Sequence, residues 1–97
     1  MLNVVAIGTW LYDGDVPTRV RVVESDVDFW FAIADADREL EDAERPHLNK
    51  RGRCYYVLHR DLDPDRFWPD SIGFLSIEDA RAEAEAKVPS KVHWAHL

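Results

Sequence analysis

The sequence predicts an α+β domain: an antiparallel sheet of four to five strands, opened by a three-strand meander, with one C-terminal helix packed on a face. Three observations predict it. Residues 1–34 break into β-rich runs separated by turn signals, of which Asp13-Gly14-Asp15 is the clearest. Residues 76–88 carry both a helix start and a helix stop. No repeat, low-complexity stretch or linker interrupts the 97 residues, so one domain spanning 1–97 is expected.

Leu2 to Tyr12 is rich in Val, Ile, Trp and Tyr and reads as a strand buried on much of both faces. Asp-Gly tolerates positive φ and turns the chain back. Val16, Thr18, Val20 and Val22 then share one face, with Arg19 and Arg21 on the other and Pro17 near the strand entry. Ser25-Asp26 marks a second turn. Val27, Phe29, Phe31 and Ile33 alternate with Asp28, Trp30, Ala32 and Ala34, which predicts a third strand completing the meander.

From Asp35 to Arg45, Ala36, Leu40 and Ala43 recur at helical spacing before Pro46, so a short exposed helix and an acidic loop both fit. After a polar turn with Lys50, Arg51 and Arg53, the run Cys54 to Arg60 has high β propensity on both faces and predicts the fourth strand. Asp61 to Ser71 holds two prolines, four aspartates and the Phe67-Trp68 pair, and reads as a long loop. Ile72 to Leu75 allows one more short strand. Ser76 is an N-cap, Glu78 and Asp79 suit the helix N-terminus, Lys87 suits the C-terminus, and Pro89 stops the helix. Its buried stripe is Ile77, Ala80, Ala84 and Val88. Gly73 to Ala80 resembles the strand-then-helix start of many small bacterial proteins, a likeness that helix capping explains and that carries no activity with it. Val92, Trp94 and Leu97 predict a final strand or an apolar tail against the sheet.

Hydrophobic residues make up 46% and charged residues 32%, the balance of a globular chain rather than a disordered one. Twelve Lys and Arg face nineteen Asp and Glu, a net charge of −7. That sign opposes a surface built to neutralise phosphates, so neither duplex nucleic acid nor an anionic membrane is an expected partner. The whole deficit lies in residues 1–48, where four arginines meet eleven acids, and residues 26–44 hold eight acids against Arg38 alone. Such a block is ordinarily a solvated face; its sharper reading is a surface for a basic protein partner. A single cysteine, Cys54, forbids an internal disulfide. No leading basic-then-apolar segment or membrane-length apolar run occurs, and a cytoplasmic location is expected.

For catalysis the sequence offers little. Cys54 lies in an apolar strand, where thiols are inert, and Ser76 is explained as a cap. No nucleophile elbow, phosphate-binding glycine loop or zinc-protease signature is present. Asp61, Asp63 and Asp65 begin like a calcium loop, but Arg66 and Ile72 stand where it needs Gly and Glu. His59 and Asp61, with the spaced pair His93 and His96, are the metal-ligand candidates. An i,i+3 histidine pair converges only on a helix, and this one follows Pro89 in an extended tail. No metal and no cofactor is therefore assigned.

Binding is the better-supported expectation. Arg66, Phe67 and Trp68 sit together in the long loop, and aromatic rings beside arginine are typical of interaction hot spots. The leading expectation is a non-enzymatic protein-interaction module using an acidic and aromatic surface, with a homodimer joined at a strand edge as one arrangement. The alternative is a small-molecule-binding protein or small enzyme. Its pocket would lie between sheet and helix, lined by Trp30, Tyr56 and Trp68, with His59 or Asp61 as polar handle.

Overall fold

The computed structural model describes residues 1–95; the expectations attached to His96 and Leu97 lie outside them. Strands β1 (Leu2–Tyr12) and β2 (Val16–Ser25) form a long hairpin. Its turn places both Asp13 (φ 54°) and Gly14 (φ 80°) in the left-handed region, which is the reason an Asp-Gly pair stands there. Helix α1 (Phe29–Ala36) follows, then strand β3 (Cys54–Leu58), helix α2 (Ile77–Lys87) and strand β4 (His93–Ala95). The sheet is antiparallel with order β3-β2-β1-β4.

The architecture is the expected α+β with a four-stranded antiparallel sheet, corrected at one element. The third strand of the meander does not form: Phe29 to Ala36 is helical, and β3 takes the place beside β2. The run is apolar at nearly every position, so a period of two and a period of 3.6 both fit it. What decides is Asp28, whose side chain accepts a hydrogen bond from the Phe31 N–H and caps a helix start. The helix ends in a Schellman arrangement. Glu39 N–H donates to Ala34 O at 2.8 Å and Arg38 N–H to Asp35 O at 3.1 Å, with Arg38 at φ 56° where glycine is usual. Trp30 therefore sits on a helix rather than a strand, and the described residues hold two α-helices rather than one. The acidic segment beyond Ala36 is loop.

The register sorts side chains onto two faces. Ala6 opposite Val22, Gly8 opposite Val20, and Val22 opposite Val57 lie on the face that α2 covers. There Ala80 and Ala84 bring α2 close enough to bury Tyr55, Val57 and Val92. Ser76 caps α2 as expected, accepting from Asp79 N–H at 3.1 Å. The other face carries Val23 opposite Tyr56, Arg21 opposite Leu58 and Ser25 opposite Cys54. All five residues of β3 are buried. Its outer edge is closed by Phe74, which exchanges both backbone hydrogen bonds with Tyr55 at 2.8 Å, and by Asp70 N–H donating to Val57 O. The short strand expected at Ile72–Leu75 is thus a single bridge at Phe74.

Gly8 sets the fit of β4. A Cβ there would collide with Val92 and lie 2.9 Å from Trp94 Cε3. Gly8→Ala is expected to lower the unfolding free energy by about 1–3 kcal/mol, through overpacking against side chains that cannot all move aside. Equilibrium urea unfolding of the two proteins measures it.

Candidate functional site

The face of β3 opposite α2 is covered by aromatic rings from three places in the sequence. Tyr56 comes from β3, Phe29 and Trp30 from the first turn of α1, and Phe67 and Trp68 from the loop after β3. They form an edge-to-face network: Phe29 to Trp30 at 4.9 Å, Phe29 to Trp68 at 5.3 Å, Trp30 to Trp68 at 5.4 Å, Phe29 to Phe67 at 5.5 Å and Tyr56 to Phe67 at 5.7 Å. Each such pair adds about 0.5–1.5 kcal/mol beyond the area it buries. Phe29 makes three of the five contacts and is the hub.

Of the residues expected to bind, Trp30, Tyr56, Phe67 and Trp68 are brought together. They are not equivalent. Tyr56 is fully buried and floors the cluster, Trp30 and Phe67 are half-buried, and Trp68 is 54% exposed. Arg66 is exposed and lines a cavity of about 190 Å³ with Arg60, Asp61 and Trp68. Sequence reasoning missed Phe29 and Asp28. Phe29 would have stood out had residues 28–36 been read at helical spacing, with Asp28 three positions before Phe31 as the cap signal.

Polar contacts hold the covering loop in place. Arg60 Nη1 donates to Asp70 Oδ1 at 3.2 Å, and its Nη2 bonds the Trp68 carbonyl. Asp70 Oδ2 accepts from His59 N–H, and Ser71 Oγ accepts from Val57 N–H. The mostly buried Arg21 guanidinium donates to the exposed Asp61 carboxylate. Trp30 Nε1–H donates to Ser71 O at 2.9 Å, joining α1 to the same loop. Asp28 uses both oxygens: Oδ1 accepts from Phe31 N–H, and Oδ2 from His47 N–H at 2.7 Å. The acidic loop that leaves the C-terminus of α1 is thereby returned to its N-terminus.

Beneath the rings, the Tyr56 hydroxyl accepts from Phe29 N–H at 2.7 Å and from Cys54 Sγ at 3.4 Å, while Phe29 N–H opens α1. Burial pushes the Tyr56 phenol far above its usual value and raises the Cys54 thiol too. Burial thus favours the protonated form of both groups, as suits a pair that bonds the start of α1.

The metal-ligand candidates are dispersed. His59 is exposed beside Asp70, Asp61 is taken by Arg21, and His93 stands on β4 opposite Thr9. Among the described residues no three His, Cys, Asp or Glu side chains converge. His59 and Tyr56 line none of the cavities near the rings. No helix among the described residues is long and apolar enough to cross a membrane. Comparison with protein-family models, with curated proteins and with solved structures finds no match.

Tyr56→Phe removes the acceptor of a buried N–H and is expected to cost about 1–3 kcal/mol in thermal or urea unfolding. The pH dependence has a definite sign. The folded state keeps protons that the unfolded chain releases near the ordinary thiol value of ~8.5 and phenol value of ~10. Stability is therefore full below about pH 8.5 and falls as pH rises beyond it. The loss reaches up to about 1.4 kcal/mol per pH unit for each group. In Tyr56→Phe the slope above pH 10 is expected to be shallower.

Proposed function

We propose that the protein is a non-enzymatic interaction module that docks a basic protein partner on the aromatic cluster and the acidic segment beside it. One observation carries this reading. Trp68 (54% exposed) and Ile72 (68% exposed) stand in a loop fixed by five side-chain hydrogen bonds, against a helix that leads into the acid-rich chain. Rings held before binding lose little entropy on binding, and Trp is the commonest hot-spot residue. Ile33 of α1 is a further exposed apolar side chain, 36% exposed.

The charge specifies the partner's chemistry. Residues 26–44 carry eight acids and one base, and of these Asp26 alone has an ion-pair partner among the described residues, the Met1 ammonium. A lysine- or arginine-bearing surface is therefore attracted and an acidic one repelled. Cavity size favours this reading over the small-molecule alternative. The three cavities around the cluster measure about 190, 300 and 240 Å³, at or below the ~300 Å³ at which ligand pockets begin. They suit single side chains.

The test is affinity capture from the native host with wild type, Trp68→Ala, and a variant carrying Glu39→Gln, Glu41→Gln, Asp42→Asn and Glu44→Gln. The expected result is a basic protein retained by wild type at low salt. Trp68→Ala is expected to weaken its affinity about 30-fold or more. The four neutral substitutions, which leave the rings untouched, are expected to slow association and flatten its salt dependence. Equal capture by all three proteins, capture of an acidic protein, or recovery of nothing but the chain itself overturns the reading.

A further inference from the structure

We infer that the cavity between Asp28, Trp30, His47 and Ile72 is a cation pocket that receives the ammonium or guanidinium end of a lysine or arginine side chain from the basic partner. The inference rests on the reading of the protein as an interaction module and adds the site at which the partner is anchored.

The cavity has a volume of about 240 Å³ and lies where α1 begins, beside the segment that closes the edge of β3. Its charge is the first argument. The half-buried Asp28 carboxylate is held by two neutral backbone donors, Phe31 N–H at 3.1 Å and His47 N–H at 2.7 Å. Neither donor neutralises it, and no Lys or Arg among the described residues pairs with it. Each oxygen accepts one hydrogen bond and keeps room for another. The result is a negative charge at the cavity wall with no Lys or Arg partner among the described residues, offset only by the N-terminal dipole of α1.

The walls are the second argument. Trp30 is locked by its bond to Ser71 O and by contact with Trp68, so its indole is a preformed wall. Ile72, largely exposed, supplies an aliphatic wall. A long cationic side chain places methylenes along apolar surface while its charged end reaches a carboxylate, and an indole nearby adds cation–π attraction. A neutral amide lacks the charge, and an anion meets repulsion from Asp28. The volume holds one side chain.

The experiment titrates the isotopically labelled protein with the blocked peptides Ac-Ala-Arg-Ala-NH₂ and Ac-Ala-Lys-Ala-NH₂, with the citrulline peptide as the neutral isostere, and follows amide and indole N–H signals by NMR. The cationic peptides are expected to saturate shifts at the Trp30 indole and at the Phe31 and His47 amides. The citrulline peptide is expected to bind at least about tenfold more weakly. Asp28→Asn keeps a capping oxygen for Phe31 N–H, gives up the bond from His47 N–H because an amide nitrogen cannot accept, and is expected to lose that preference in a protein that remains folded. Ile72→Lys changes an exposed position, so its melting temperature should be unaltered, and its own ammonium should occupy the pocket and abolish binding.

Equal shifts from arginine and citrulline peptides, or shifts unaffected by Asp28→Asn in a folded protein, overturn the pocket. Putrescine saturating the same signals more tightly than either peptide overturns the assignment to a partner side chain. A partner that depends on Trp68 but is held equally by wild type and Asp28→Asn rejects the pocket alone and leaves the interaction module standing.

Discussion

The structure depends on the burial of β3. It is the outermost strand on its side of the sheet, yet all five of its residues are apolar or aromatic and none reaches solvent. An edge strand of that composition must be covered on both faces and along its open edge, or it presents a template for aggregation. Three segments meet the requirement. Helix α2 covers Tyr55 and Val57, the ring cluster with α1 covers Tyr56 and its neighbours, and residues 70–74 close the edge. Much of the chain between the hairpin and β4 is arranged to supply these covers.

Polar satisfaction fixes where the second cover begins. A phenol enclosed in apolar surroundings costs free energy unless its oxygen is bonded, and the first N–H groups of a helix have no partner within the helix. In this fold each need meets the other, since Phe29 N–H donates to Tyr56. That bond sets the position of α1, hence of Phe29 and Trp30, hence of the loop rings that pack on them. The exposed side of Trp68 and the cavity at Asp28 are consequences of how β3 is buried, so the proposed recognition surface and the second core share residues. Substitutions inside the cluster will therefore affect stability and binding together. A substitution at Ile72, exposed and outside the ring contacts, separates the two.

Much of this was legible in the sequence where local chemistry is unambiguous. The Asp13-Gly14 turn, the capped helix after Ser76, the doubly apolar strand at Cys54–Leu58 and the ring pair in the long loop all follow from short-range signals. The third strand was misread because an uninterrupted apolar run carries no periodicity to separate helix from strand. Asp28 was the tie-breaker, and its role is visible in sequence only once a helix is assumed. Other features depend on pairing across long separations, which no local pattern encodes. Arg21 meets Asp61, Asp28 meets His47, and Trp30 meets Ser71. The cavity at Asp28 lies where the last two of these distant contacts meet.

The two helices differ in a way that bears on the proposed partner. Helix α2 has acids in its first turn and a lysine in its last, the arrangement its dipole favours. Helix α1 has no base in its last turn, which carries Asp35; it ends at Ala36 with the cap Asp37, and only Arg38 separates that cap from Glu39. Acids at a helix C-terminus face its negative end, each at a cost of roughly 0.3–1 kcal/mol. Stability alone would select lysine at these positions. A cationic surface docked there relieves the repulsion, so part of what folding loses at α1 is returned on binding. The same relief is unavailable to a neutral or acidic protein, so for the proposed basic partner the end of α1 adds to specificity as well as to affinity.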